Sequence, residues 1–409
     1  MKDFFRVKTL EQVLAYASEF NVVESETIAL NQCLDRISAT DVMADYDLPD
    51  FMRSTMDGYA VKASSTFGAS EANPAYLTVK GSVRMGEKPD FTMSTGEAAK
   101  ISTGGMLPQG ADCVVMVEHA EAVDDASIEI YKSVAPGQHV VQVGEDIKKN
   151  ETILNKNQSI RPQEIGMLAA YGIQTVNVFK RPVIGIISTG DEIVPIDQIP
   201  GPGKIRDVNS YTLEGQICKS GAVPLRFGIV DDNYNAIFNQ CKTAIQTSDM
   251  VLVSGGSSVG MRDFTTDALD SLPDSTILVH GISISPGKPT ILANVQNKAV
   301  WGMPGHVTSA MVVFETIVRP FIDHVRGLTE SKKSVYPIPA RLSRNISSAN
   351  GRTDFIRVRL IQKDDALYAE PILAKSGLLN SMVRADGLIE VDINTEGLDK
   401  DTEVKVILL

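Results

Sequence analysis

The apolar positions change period along the chain, and those changes divide it. Near the start, Leu10, Val13, Leu14 and Ala17 recur at helical spacing behind Thr9 and Gln12, a pair that reads as a capping box. A second helical stretch is expected over residues 28–34. A third is expected over 162–171, opened by Pro162 and stopped by Gly172. Between them, residues 76–83, 98–101, 113–117 and 128–131 alternate apolar and polar like half-buried strands separated by turn residues. The pattern predicts a helical linking domain made of residues 1–45 and 144–178, with a β-domain of residues 46–143 inserted into it.

From residue 181 the period alternates between that of strands and that of helices. Strands are expected over 182–187, 223–230, 250–254, 276–280 and 298–302, and long helices over 234–245 and 307–325. This βαβ series predicts a mostly parallel sheet with helices on both faces, covering residues 179–327. Residues 335–342, 355–360, 366–372, 388–391 and 403–409 read as strands again, which gives a separate C-terminal β-domain of residues 328–409. The fold class is therefore multidomain, α/β plus β.

Composition narrows the function. Of 409 residues, 43% are hydrophobic and 22% charged, ordinary for a globular protein. A net charge of −12 argues against a broad basic face for nucleic acid. Cys33, Cys113, Cys218 and Cys241 are far apart and suggest reduced thiols, with Cys218 and Cys241 on helix faces that point to the core. No apolar signal core and no run of membrane-spanning length is present, so the expected location is cytoplasmic, without a membrane partner.

In a mostly parallel α/β sheet, ligands bind beyond the carboxyl ends of the strands, and the polar turns of this chain fall there. The run 250–254 ends in Gly255, Gly256, Ser257, Ser258 and Gly260, followed by Asp263. Glycines let backbone N–H groups approach an anion. Asp191, Glu192, Asp207, Asp231 and Asp232 bring carboxylates to other strand ends. Lys288, Pro304, Gly305, Thr308 and Ser309 bring a cation and the start of a helix. Carboxylates beside a phosphate call for a divalent ion between them, and Mg²⁺ accepts one or two carboxylates together with phosphate oxygens. Singly, each acid is better read as a helix cap or solvated surface; together the set favours a phosphorylated or nucleotide-bearing ligand with a metal. Upstream, Asp57-Gly58 is a turn with an exposed carboxylate, either a plain connection or part of a site. The five histidines form no HxH or HxxxH pair.

The ordered motifs MDGYAV (56–61), STGG (102–105), GED (144–146), STGDE (188–192), DVNS (207–210), GGSSVGMRDF (255–264), PGKP (286–289), GMPGH (302–306) and GRTDF (351–355) resemble those of the molybdenum insertase, or molybdopterin molybdenumtransferase, family. The C-terminal domain of gephyrin is similar to that family. The resemblance implies a homodimer of four-domain subunits: a doubly wound, pterin-binding α/β domain, an inserted β-domain, a β-barrel-like C-terminal domain and a linking domain. It also implies a reaction in which molybdenum from molybdate enters adenylylated molybdopterin with Mg²⁺ and AMP is released. By motif, Asp57, Asp146, Glu192, Asp263 and Lys288 are implied as catalytic, with Glu192 and Asp263 at the metal. Thr103, Asp231 (or Asp232), Gly255, Gly256, Ser257, Ser258, Pro304, Gly305 and Arg352 are implied as substrate-binding. Expected partners are a molybdopterin adenylyltransferase and acceptor molybdoenzymes or their chaperones. Ser285 stands where many members carry lysine, and His306-Val307 where many carry a proline second. A non-catalytic pterin-binding scaffold and a tungstate-handling paralogue are the alternatives.

Overall fold

The structure, a computed structural model, describes residues 7–255, 264–329 and 337–409. The chain forms two compact units, one of residues 41–154 and one that joins the segment before residue 41 to everything from Asn155 onward.

The 41–154 unit is built on a six-stranded sheet ordered Cys113–Met116, Gly58–Val61, Glu97–Ile101, Ala75–Ser82, Ser127–Ile130, Ala120–Ala122. Both faces of this sheet are apolar. Ala60, Ala99 and Val114 point into one cluster, while their neighbours Val61, Ala98 and Val115 point into the other. That is the two-residue alternation of a strand, with each face covered. The boundary of the unit lies slightly outside residues 46–143, because Val42–Met43 pairs with Thr152–Leu154 and draws the flanking segments in.

In the other unit, Leu10–Ala15 is helical, and Thr9 and Gln12 exchange side-chain-to-backbone hydrogen bonds of 3.1 and 3.3 Å, the expected capping box. Residues 28–34 depart from expectation. Ser25–Ala29 is a strand paired antiparallel with Thr175–Phe179, and only Leu30–Gln32 makes a helical turn. Long-range pairing overrides the local spacing of Ile28, Leu30 and Leu34.

The central domain contains β1 (Val183–Thr189), α1 (Asn209–Lys219), β2 (Val223–Val230), α2 (Tyr234–Thr247), β3 (Met250–Ser254), α3 (Phe264–Asp270), β4 (Ser275–His280), β5 (Ile284–Ser285), β6 (Ile291–Val295), β7 (Lys298–Met303), α4 (Val307–Val313) and α5 (Arg319–Val325). Its sheet has the order β2-β1-β3-β7-β6-β4. The first four strands are parallel, β6 runs antiparallel to β7, and the edge strand β4 is antiparallel to β6. β1 and β3 are buried along almost their whole length, as strands covered on both faces must be. One face packs Leu213, Ile217, Trp301, Phe314 and Phe321, and the other packs Ile237, Cys241, Ala268 and Leu269. Cys241 is thus core, but Cys218 is exposed at the solvent side of α1, contrary to expectation. The helix expected over 307–325 is continuous, with a π-turn at Phe314–Val318 between α4 and α5. Pro320, which lacks an N–H, stands two residues after that turn, and such a residue disturbs the regular hydrogen-bond ladder.

The C-terminal strands are β8 (Ile338–Leu342), β9 (Thr353–Lys363), β10 (Ala366–Pro371), β11 (Gly387–Val391) and β12 (Glu403–Leu408). They close in the order β9-β10-β8-β12-β11 and back to β9, a five-stranded barrel around Leu342, Val358, Ala369, Ile389 and Val406. The central domain lends it a sixth strand: Ile284–Ser285 pairs parallel with Thr353–Asp354.

Candidate functional site

The pairing of β5 with β9 brings the PGKP turn and the GRTDF strand together, although more than sixty residues separate them. Beside that junction opens a cleft of about 1620 Å³. Its walls are the carboxyl ends of β1, β3 and β7 on one side and the barrel rim on the other. Of the residues singled out from sequence, Glu192, Gly255, Lys288, Pro304, Gly305 and Arg352 all line it. Asp232 lines it too, whereas Asp231 does not. β2 ends at Val230, so consecutive aspartates diverge, and Asp232 accepts from Thr189 Oγ1 at 3.3 Å. Gly256, Ser257, Ser258 and Asp263 lie outside the described residues.

Glycine at position 255 is a steric necessity. Its φ is +111°, and a Cβ there would stand 1.8 Å from the carbonyl oxygen of Thr189. Gly255 itself therefore lies close against the end of β1. Gly305, at the end of β7, is its neighbour across the cleft floor: a Cβ on Gly305 would lie 4.0 Å from Gly255 Cα.

The DVNS motif braces these turns. Asp207 is buried and accepts from Ser188 Oγ at 2.8 Å and from the Ser210 N–H at 3.1 Å. Asn209 Nδ2 donates to Ser254 Oγ at 2.8 Å and to Gly305 O at 2.9 Å, tying the ends of β3 and β7 to the first turn of α1. Thr308, expected as an anion contact, is fully buried and instead donates to Ser376 O at 2.5 Å. Ser376 Oγ in turn lies 3.0 Å from His306 Nδ1. The loop carrying Ser376 is held from its other side by Arg357, which donates to Ser381 Oγ at 2.6 Å and to Ala374 O. Burial pushes the pKa of the Arg357 guanidinium down from its ordinary value. Sequence reading passed over Asn209 as a ligand-turn brace and missed Arg357 and Ser376 altogether. Arg357 does carry one signal in sequence: it is a cation set among the apolar Phe355, Ile356 and Val358 of an expected strand, where a charge needs partners.

Arg352 pairs with Asp354, its Nε 2.9 Å from Oδ1, and Ser348 Oγ donates to the other carboxylate oxygen at 2.8 Å. Glu192, Asp207 and Asp232 are the acidic residues lining the strand-end side, and Asp207 is held by Ser188 and Ser210. No cluster of three metal-ligating side chains occurs among the described residues. A pair of carboxylates suits Mg²⁺, which keeps several waters and takes its remaining ligands from phosphate oxygens.

Asp57, Thr103 and Asp146 belong to the 41–154 unit. There Asp57 Oδ1 accepts from the Thr103 N–H at 2.7 Å and its Oγ1 at 3.1 Å, so two distant motifs share one exposed corner. Gly58 permits that corner, since a Cβ would stand 1.9 Å from Val115 O. Asp146 sits on a separate exposed turn, its N–H donating to Leu48 O at 3.2 Å.

Comparison with known proteins covers the same ground. Residues 8–172 match the MoeA N-terminal region (domains I and II), 185–324 a probable molybdopterin binding domain, and 339–409 the MoeA C-terminal region (domain IV). A molybdopterin biosynthesis protein of Methanocaldococcus jannaschii is 37% identical, over 100% of this chain and 99% of its own. The molybdopterin molybdenumtransferase of Bacillus subtilis is 31% identical, over 94% of this chain and 90% of its own. Among solved structures, a molybdopterin biosynthesis MoeA protein from Pyrococcus horikoshii is 37% identical, with a TM-score of 0.80 over 98% of this chain and 99% of its own.

Proposed function

Since this chain belongs to the MoeA family, we propose that it is a molybdopterin molybdenumtransferase acting in molybdenum cofactor biosynthesis. It takes adenylylated molybdopterin and molybdate as substrates, places molybdenum on the pterin and releases AMP. The observation that carries this reading is the convergence of Glu192, Gly255, Lys288, Gly305 and Arg352, from five separate stretches of sequence, on one cleft.

Each wall contributes differently. Gly255 and Gly305, which carry no side chains, let a ligand come against the backbone there. Lys288, between Gly287 and Pro289, presents a point charge to an oxyanion such as molybdate or a phosphoryl group. Arg352, steadied by Asp354, adds a planar donor from the barrel side. Glu192 and Asp232 would hold Mg²⁺, with Asp263 as a further ligand implied by motif. The ion would polarise the scissile phosphoryl oxygen. By motif alone, Asp57, held by Thr103, and Asp146 are also given catalytic roles. We further propose that the protein is a cytoplasmic homodimer, supplied by a molybdopterin adenylyltransferase and serving acceptor molybdoenzymes or their chaperones. No described helix is long and apolar enough to cross a membrane.

The test is AMP release from adenylylated molybdopterin with Mg²⁺ and either molybdate or tungstate. Release with molybdate, lost in Glu192→Gln, supports the transferase. Tight pterin binding with no AMP from either oxyanion overturns it in favour of a scaffold.

A further inference from the structure

We infer that Arg206, a residue to which neither motif nor composition drew attention, grips a phosphoryl group of the nucleotide-bearing ligand; this rests on the reading above. Arg206 lines the cleft on the strand-end side, alongside Glu192 and Asp232. Its backbone is fixed at three points. The Ile205 N–H donates to Glu192 O at 2.8 Å, the Asp207 N–H donates to Val194 O at 2.9 Å, and the Asp207 carboxylate is buried against Ser188 and Ser210. Ile193–Val194 and Ile205–Arg206 form a two-residue parallel ladder, so Arg206 rides on the same small platform that carries Glu192.

The side chain is steadied as well. Arg206 Nε donates to Ile196 O at 3.0 Å, which orients the guanidinium and leaves its two terminal nitrogens directed elsewhere. No carboxylate pairs with it among the described residues. The other arginines of the cleft are committed: Arg352 to Asp354, and Arg357 to Ser381 and Ala374. An arginine held by Nε and carrying four remaining N–H donors is built for a tetrahedral oxyanion, which it can take bidentately. Two such oxyanions would enter this cleft, a phosphoryl group and molybdate. Position favours the phosphoryl, because Arg206 stands on the wall formed by the Gly255 turn and the two metal-facing acids, opposite the barrel rim that carries Arg352.

The experiment compares wild type, Arg206→Gln and Arg206→Lys in two measurements. The first is the Kd for adenylylated molybdopterin by equilibrium dialysis without molybdate. The second is the KM for molybdate in turnover. The expected result is a Kd raised about tenfold or more in Arg206→Gln, the scale of one charge-assisted hydrogen-bond pair. Arg206→Lys should recover part of that affinity, and the molybdate KM should change less than about twofold. A Kd unchanged in Arg206→Gln overturns the inference, and so does a rise confined to the molybdate KM. Wild type that binds the ligand but releases no AMP would refute the transferase reading alone. Arg206→Gln that binds and turns over like wild type would refute this one alone.

Discussion

Asn209 offers the sharpest test of how the cleft is held. In Asn209→Ala, Ser254 Oγ and Gly305 O both lose their donor. Ser254 is 1% exposed, so water cannot replace that donor, and a buried orphan costs about 1–3 kcal/mol. Gly305 O faces the cleft and can be rehydrated, which limits its share to about 1 kcal/mol. The sum is about 1–4 kcal/mol, or roughly 2–16 °C in Tm at about 2–4 °C per kcal/mol for a domain of this size. Trp301 reports it directly: it is the single tryptophan, fully buried in β7 and edge-on to Phe321 with centroids 4.9 Å apart. Its fluorescence therefore follows the central domain. Affinity for the pterin nucleotide should fall as well, because the ends of β3 and β7 lose their common tie. Asn209→Asp separates the two bonds. The Ser254 hydroxyl can donate to the new carboxylate, but Gly305 O would face oxygen, so part of the stability returns while affinity does not. A Tm within about 1 °C of wild type together with unchanged affinity in Asn209→Ala would refute the bracing role.

Three further outcomes follow from the same geometry. Gly255→Ala would force a methyl group to within 1.8 Å of Thr189 O, so the turn must move and AMP release should be lost even where Trp301 fluorescence still reports a folded core. Arg357→Met removes the donors to Ser381 and Ala374, freeing the loop that carries Ser376; steady-state kinetics should show KM rising more than kcat falls. Native thiol titration at neutral pH should count one fast cysteine, Cys218. Cys33 and Cys113 are buried and their thiols are pushed up by desolvation, as is Cys241, to about 12, so all three should react only on unfolding.

Much of the fold was legible where neighbouring residues alone decide it. The run 250–254 is apolar because β3 is covered on both faces, and the end of β3 carries a glycine where a side chain would collide with backbone. Legibility failed where distant pairing decides. Ile28 and Leu30 carry a helical spacing that loses to Thr175–Phe179 across the sheet. Strand β6 was not anticipated, although Gln296 and Asn297, with φ of 55° and 62°, form the two-residue turn that folds it back on β7. That turn lacks the usual Asn-Gly signature. The two-residue β5 carries no periodic signal at all. In the candidate site, residues with a distinctive chemical partner in sequence were visible. Arg206 and Ser376 were not, since their meaning comes only from what the folded chain places beside them, and Arg357 showed only as a cation in an apolar strand, with no hint of its partners.

The small strand Ile284–Ser285 has a mechanical consequence. The covalent chain passes from central domain to barrel once, after residue 329, and a single crossing would leave the barrel free to swing like a door. The pairing with Thr353–Asp354 adds a second rivet, and the bond from Thr308 to Ser376 a third. A swing of the barrel away from the central domain would have to break both of these ties first. While they hold, they set the gauge of the slot that substrate must enter.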